Sequence, residues 1–188
     1  MHRRPTIVTL LLAVPLVACL ASPSAGQVSA AVSSAASPAS LEQQTHDRIN
    51  AYRSSKGLAS LKWSEAIAEQ ARRHSRNMAT GATTFGHDGF DARMHELVQS
   101  VMWTGVAENV FMLLNLPEPA AVAVGGWIDS PGHRQNIEGD YDLTGVGIAR
   151  AEDGSLYFTQ IFVKSKPARQ VELDRDEFQY LPASHRRN

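Results

Sequence analysis

The sequence has almost no cysteine, almost no net charge and no apolar run long enough to span a membrane. Its 188 residues hold one Cys, 18 Lys and Arg, and 19 Asp and Glu, for a formal charge of −1. A single thiol excludes an internal disulfide framework and any Cys-rich zinc or iron–sulfur cage. Near-neutrality argues against a dedicated nucleic-acid binder, which needs a basic footprint, so no nucleic-acid partner is expected. The apolar stretch Thr6–Leu20 is 15 residues long and is broken by Pro15, short of the roughly 20 residues that a membrane helix needs. There is no internal repeat. What is present is 43% hydrophobic and 20% charged residues, enough to build a core, in a chain that fits one domain with tails.

His2, Arg3 and Arg4 precede the Thr6–Leu20 run. A charged n-region before a short apolar h-region reads as an export signal over residues 1–20, outside the fold. Leu16-Val17-Ala18-Cys19 resembles a bacterial lipobox, in which the cysteine is acylated and becomes the mature N-terminus. Acyl chains on Cys19 would anchor the protein to a membrane through apolar burial of roughly 0.8 kcal/mol per CH₂. The alternative is cleavage after Ala25, in Pro23-Ser24-Ala25, giving a secreted or periplasmic protein. Either route takes the chain out of the cytoplasm. Residues 21–40 are rich in Ser, Ala, Pro and Gly and carry no charge, which reads as a flexible tether. The folded domain is expected over 41–164. A charged C-terminal extension follows over 165–188, with one added strand at Gln170–Leu173.

Within the domain, Ser40 followed by Gln43 reads as a capping box opening a helix that Gly57 ends. Ser64 caps a second helix, whose Ala68, Ala71, Ser75 and Met78 form a narrow stripe of small residues suited to close approach. A third helix is expected over Ala92–Ser100 behind Asp91. A fourth is expected over Glu118–Asp129, with Pro119 in its opening turn and Pro131 as its stop. Leu143–Ala149 and Leu156–Val163 read as strands joined at Asp153-Gly154. The second strand is apolar on both faces and so is central. Helices followed by a hairpin indicate an α+β chain folded as an α–β–α sandwich.

His46, His74 and His95 fall on helices among polar residues and read as solvated. His87 and His133 differ. His87 stands in Phe85-Gly-His-Asp-Gly-Phe90, where glycine frees the backbone. His133 stands in Trp127-Ile-Asp-Ser-Pro-Gly-His-Arg-Gln-Asn-Ile137, just past the expected end of the fourth helix. Glu108 lies between them among apolar neighbours and needs a partner. Two imidazoles and a carboxylate can bind Zn²⁺ with an open water position, act as a general acid–base pair, or satisfy one another as a buried network. Spacing alone leaves the three open. Asn136 and Gln160 could orient groups in a cleft.

Ile49-Asn50-x-x-Arg53, Gly57-Leu58-x-x-Leu61-x-Trp63, Gly86-His87, Glu108-Asn109, Trp127-x-x-Ser130-Pro131-Gly132-His133-Arg134-x-Asn136-Ile137, Gly145-Val146-Gly147 and Tyr157-x-Thr159-Gln160-x-Phe162 follow in that order. The series resembles the bacterial, SCP-like branch of the CAP superfamily: cysteine-rich secretory proteins, antigen 5 and plant pathogenesis-related proteins. The likeness runs over Leu41–Val163. It implies a three-layer α–β–α sandwich with a central antiparallel sheet, and a cleft lined by two histidines and two acidic residues. His87, Glu108 and His133 match three of the four. The second glutamate falls near Ser130, with Asp129 one place before it as the available substitute. Ala107 stands where the family usually has glycine.

The resemblance names no shared activity. Some members bind Zn²⁺ or another divalent cation through the histidines, others bind lipids or sterols, and proteolysis has been proposed. The leading expectation is an exported binding or interaction module of the bacterial cell envelope, its partner an extracellular lipid, peptide or envelope polymer. The reading leans away from an enzyme. A zinc-assisted hydrolase with Glu108 as ligand or general base is the alternative, and a lipid or sterol carrier using the apolar run Phe111–Leu116 is the third.

Overall fold

Helix α1 (Pro38–Ser55) opens three residues before the expected start. Its N-cap is Ser37, whose hydroxyl accepts from the Ser40 amide at 3.2 Å. The Ser40 capping box does not form. Pro38, with its φ already helical, sits in the first turn behind a good cap and moves the start forward. The computed structural model describes residues 36–167. The export signal, Cys19, the tether to residue 35, and the extension from 168 with its expected strand at Gln170–Leu173 lie outside the described residues.

The remaining elements are β1 (Lys62–Trp63), α2 (Glu65–Ala79), α3 (Phe90–Leu97), β2 (Trp103–Leu113), α4 (Pro119–Asp129), α5 (Pro131–Glu138), β3 (Leu143–Arg150) and β4 (Leu156–Ser165). The third helix starts and ends earlier than Ala92–Ser100, and its N-cap is Gly89 in the left-handed region rather than Asp91. Pro131 ends α4 and also begins α5, since the missing N–H costs nothing in a first turn. His133 therefore stands in the opening turn of a helix, not in a loop.

The strands form one sheet in the order β1-β3-β4-β2. β4 is internal, as its two apolar faces require. The sheet is mixed rather than wholly antiparallel, because β1 pairs parallel with β3 while the other pairings are antiparallel. Helices cover both faces. On one side α1, α4 and α5 enclose Leu41, Ile49, Trp127, Ile137, Phe158 and Phe162; on the other α2 and α3 enclose Ile67, Ala71, Met94, Leu97, Ile161 and Val163. This is the three-layer α–β–α arrangement.

The small stripe of α2 lies directly on β3. A Cβ at Gly145 or Gly147 would fall into the backbone of α2 at Ala68 or Arg72. Ser75, on the same stripe, bonds Gly147 O and Thr159 Oγ1, each at 2.8 Å. Both outer edges of the sheet are closed by side chains. Beyond the short β1, the Ile148 amide donates to Glu42 Oε1 at 3.1 Å, and Glu42 is held by Arg72. On the other edge, Trp127 Nε1 donates to Val110 O at 2.9 Å and Asn136 Nδ2 to Glu108 O at 3.3 Å. Such plugs satisfy strand groups that would otherwise invite another chain.

Candidate functional site

The site lies along β2. That strand escapes the sequence pattern because Glu108 and Asn109, charged and polar, stand at its buried centre. Their side chains leave on opposite faces, as strand alternation demands. Glu108 turns toward α2 and α3, and Asn109 toward α5, where its Nδ2 donates to His133 O at 3.1 Å. Asn136 completes this side by donating to Asn109 Oδ1 at 2.8 Å. The first turn of α5 is thereby pinned to β2. The far end of α5 is pinned by Arg53, which donates to Ile137 O at 2.6 Å and Gly139 O at 3.0 Å.

Glu108 is buried and surrounded. One guanidinium nitrogen of Arg93 reaches both carboxylate oxygens, at 2.8 and 2.9 Å. His87 Nδ1 lies 3.0 Å from Oε1. His74 Nε2 is 3.9 Å from the same oxygen and 2.8 Å from Gly86 O. The expectation of a solvated His74 is thus corrected: it is 1% exposed. Burial holds its pKa below the ordinary value, only partly offset by Gly86 O and the Glu108 charge. His46 is also largely buried, with Nε2 on Leu61 O at 3.1 Å, whereas His95 is exposed as expected.

His87 and His133 share a cavity of about 420 Å³ with Phe85, Gly86, Val110, Phe111 and Met112. Burial and the neighbouring His87 both lower the His133 pKa. His87 also borders a second cavity of about 320 Å³, lined by Phe90, Ala107, Glu108 and Asn136. Phe85 and Met112 of the first cavity, and Leu114 and Leu116 further along the chain, are large, apolar and exposed, while Leu113 is buried. The run Phe111–Leu116 is therefore partly core and partly lip.

His87, Glu108, His133 and Asn136 come together. Gln160 does not join them: it is fully buried, with Nε2 on Thr144 Oγ1 at 3.1 Å. Asp129 is exposed at the end of α4, and Ser130 is the α4–α5 junction; neither hydrogen-bonds a histidine. Among the described residues no three His, Cys, Asp or Glu side chains form a metal-holding group. Glu108 fits poorly as a ligand, because its charge is already paired with Arg93 and its side chain is only 2% exposed. Imidazole nitrogen is a chemically suitable donor for a divalent cation, and His87 and His133 line one cavity. Sequence reasoning missed Arg93 and His74. His74 has a signal, since it stands three residues after Ala71 and four before Met78 on the buried stripe of α2; Arg93 reads as an ordinary polar residue on a helix.

Comparison with known proteins follows the same lines. The model of the CAP, cysteine-rich secretory protein, family matches residues 46–162. An uncharacterized membrane protein, YlbC, of Bacillus subtilis (strain 168) is 34% identical over 129 residues. That match takes in 65% of this chain and 34% of YlbC, so the chain spans about a third of that relative. The solved structure of an extracellular protein containing an SCP domain from Bacillus anthracis is similar at TM-score 0.54 and 29% identity. It covers 66% of this chain and 40% of that one. An outer surface protein from Borrelia burgdorferi shares the fold at TM-score 0.58 and 19% identity, over 70% of this chain and 97% of its own.

Proposed function

Because the chain belongs to the cysteine-rich secretory protein family, a fold that names no reaction by itself, we propose that it works as an exported binding module. Its ligand site is the cleft along β2. The observation that carries this reading is the shared cavity of His87 and His133, walled by Phe85, Val110, Phe111 and Met112 and continuous in character with the exposed Leu114 and Leu116. Two polar anchors on an apolar wall suit an amphipathic extracellular molecule. A divalent cation such as Zn²⁺ would be held by the two imidazoles, with other ligands from water. When bound it would supply a Lewis-acidic anchor for a carbonyl or carboxylate. Export is supported by the signal-like residues 1–20 and by the extracellular and surface descriptions of similar proteins.

The hydrolase reading lacks support from the geometry. A general base must be reached by water, and Glu108 is ion-paired to Arg93, contacted by His87 and only 2% exposed at its side chain. Among the described residues no serine or cysteine is hydrogen-bonded to either histidine of the cleft.

Thermal unfolding with and without Zn²⁺ tests the cation site. Stabilisation is expected in the wild type and its loss in the His87→Ala, His133→Ala double variant; equal stabilisation in both rejects the site. Mass spectrometry of molecules co-purifying with the secreted protein tests the ligand class. An amphipathic ligand depleted in Leu114→Asp supports the apolar lip, and retention of that ligand in the variant removes it.

A further inference from the structure

Three buried side chains from three elements grip three consecutive residues of one loop. His74, on α2, meets Gly86 O at 2.8 Å. Glu108, on β2, meets His87 Nδ1 at 3.0 Å. Arg93, on α3, donates from Nη1 to Asp88 O at 2.6 Å. The other terminal nitrogen of Arg93 spans both oxygens of Glu108, so one rigid guanidinium ties the carboxylate to the backbone beside His87. We propose that Arg93 and His74 are positioning residues for His87, fixing which ring nitrogen it turns to the cleft.

The geometry supports this in three steps. The His87 side chain is 52% exposed, so packing alone does not hold its ring. A carboxylate only accepts, so the neutral ring must carry its proton on Nδ1 and leave the Nε2 lone pair outward. Glu108 can orient the ring only if it is held in place, and Arg93 holds it by reaching both carboxylate oxygens. The second contact of the same guanidinium, to Asp88 O, keeps the loop from sliding along the carboxylate. Gly89 leaves room for it, since a Cβ there would press to 3.4 Å from Arg93 Nη1, and its φ of +75° disfavours other residues. Lysine, a single-point donor, cannot reproduce both contacts.

The inference rests on the binding reading only for the use made of Nε2. The test therefore has a part that does not depend on it. Ring ¹⁵N shifts of His87 are recorded in the full chain at pH 8. One tautomer, protonated on Nδ1, is expected in the wild type, and an averaged pair of tautomers in Arg93→Gln. Arg93→Lys, which keeps the charge and protects folding, should be intermediate, and His74→Phe should loosen the ring while leaving Glu108 paired. In parallel, Zn²⁺ affinity should fall roughly 10-fold in Arg93→Gln, the usual scale for loss of an outer partner of a ligating histidine. Wild-type His87 shifts in folded Arg93→Gln, or in Arg93→Lys if the first variant does not fold, overturn the proposal. If the wild type binds no Zn²⁺, the cation reading fails, and the tautomer comparison still decides the positioning role.

Discussion

At Glu108 a buried charge is compensated several times over. Arg93 neutralises it, His87 uses it, and His74 stands close by. His74 is the member whose protonation the site resists, since a second positive charge beside Arg93 would have to be buried with it. Its folded pKa lies below the ordinary value of 6.5 because of burial. The unfolded chain therefore takes up the proton first as pH falls, and stability must drop below about pH 6.5. His133 shifts in the same direction and adds to the slope. Melting temperature measured from pH 7.5 to 5.5 should fall, and His74→Gln should flatten part of that fall. An unchanged slope in the variant would assign the acid sensitivity elsewhere. The histidines of the cleft and Glu108 are legible in the sequence because each stands in a motif. The role of Arg93 and His74 is not, because Glu108 and Gly86 are distant in sequence; only the place of His74 on the stripe of α2 marks its burial.

At the scale of elements, the legible parts are those with strong local punctuation. Asp153-Gly154 announces the β3–β4 hairpin, and Ala68, Ala71 and Ser75 announce a helix that packs closely. The counterpart of that stripe is Gly145-Val146-Gly147, where β3 touches the backbone of α2. Gly147→Ala should separate helix from strand and cost about 3 kcal/mol, the upper range for overpacking a filled core. Urea unfolding would measure it, and a loss under ~1 kcal/mol would show that α2 can shift without strain. β2 is hidden for the opposite reason: Glu108 and Asn109 interrupt the apolar alternation that identifies strands. α5 is hidden because proline reads as a stop, when the same residue serves equally well as a start.

For the whole molecule, a chain of the cysteine-rich secretory protein family here has a single cysteine, at position 19, outside the described residues. Packing and buried ion pairs must stabilise the domain instead, as Glu42 with Arg72 and Glu108 with Arg93 illustrate. That leaves the thiol for the anchor proposed from the lipobox likeness. Cys19→Ser should move the protein from the membrane fraction to the soluble fraction of cells making it, while an unchanged distribution argues for ordinary cleavage. The closed edges of the sheet have a consequence of their own. Glu42, Trp127 and Asn136 reach β3 and β2 from helices, so the strands are shielded only after those helices have docked. Without these three contacts, β3 and β2 present bare backbone groups on which another chain can pair. Damage to these three contacts should then appear first as lost yield and self-association during folding, and only afterwards as a lower melting temperature.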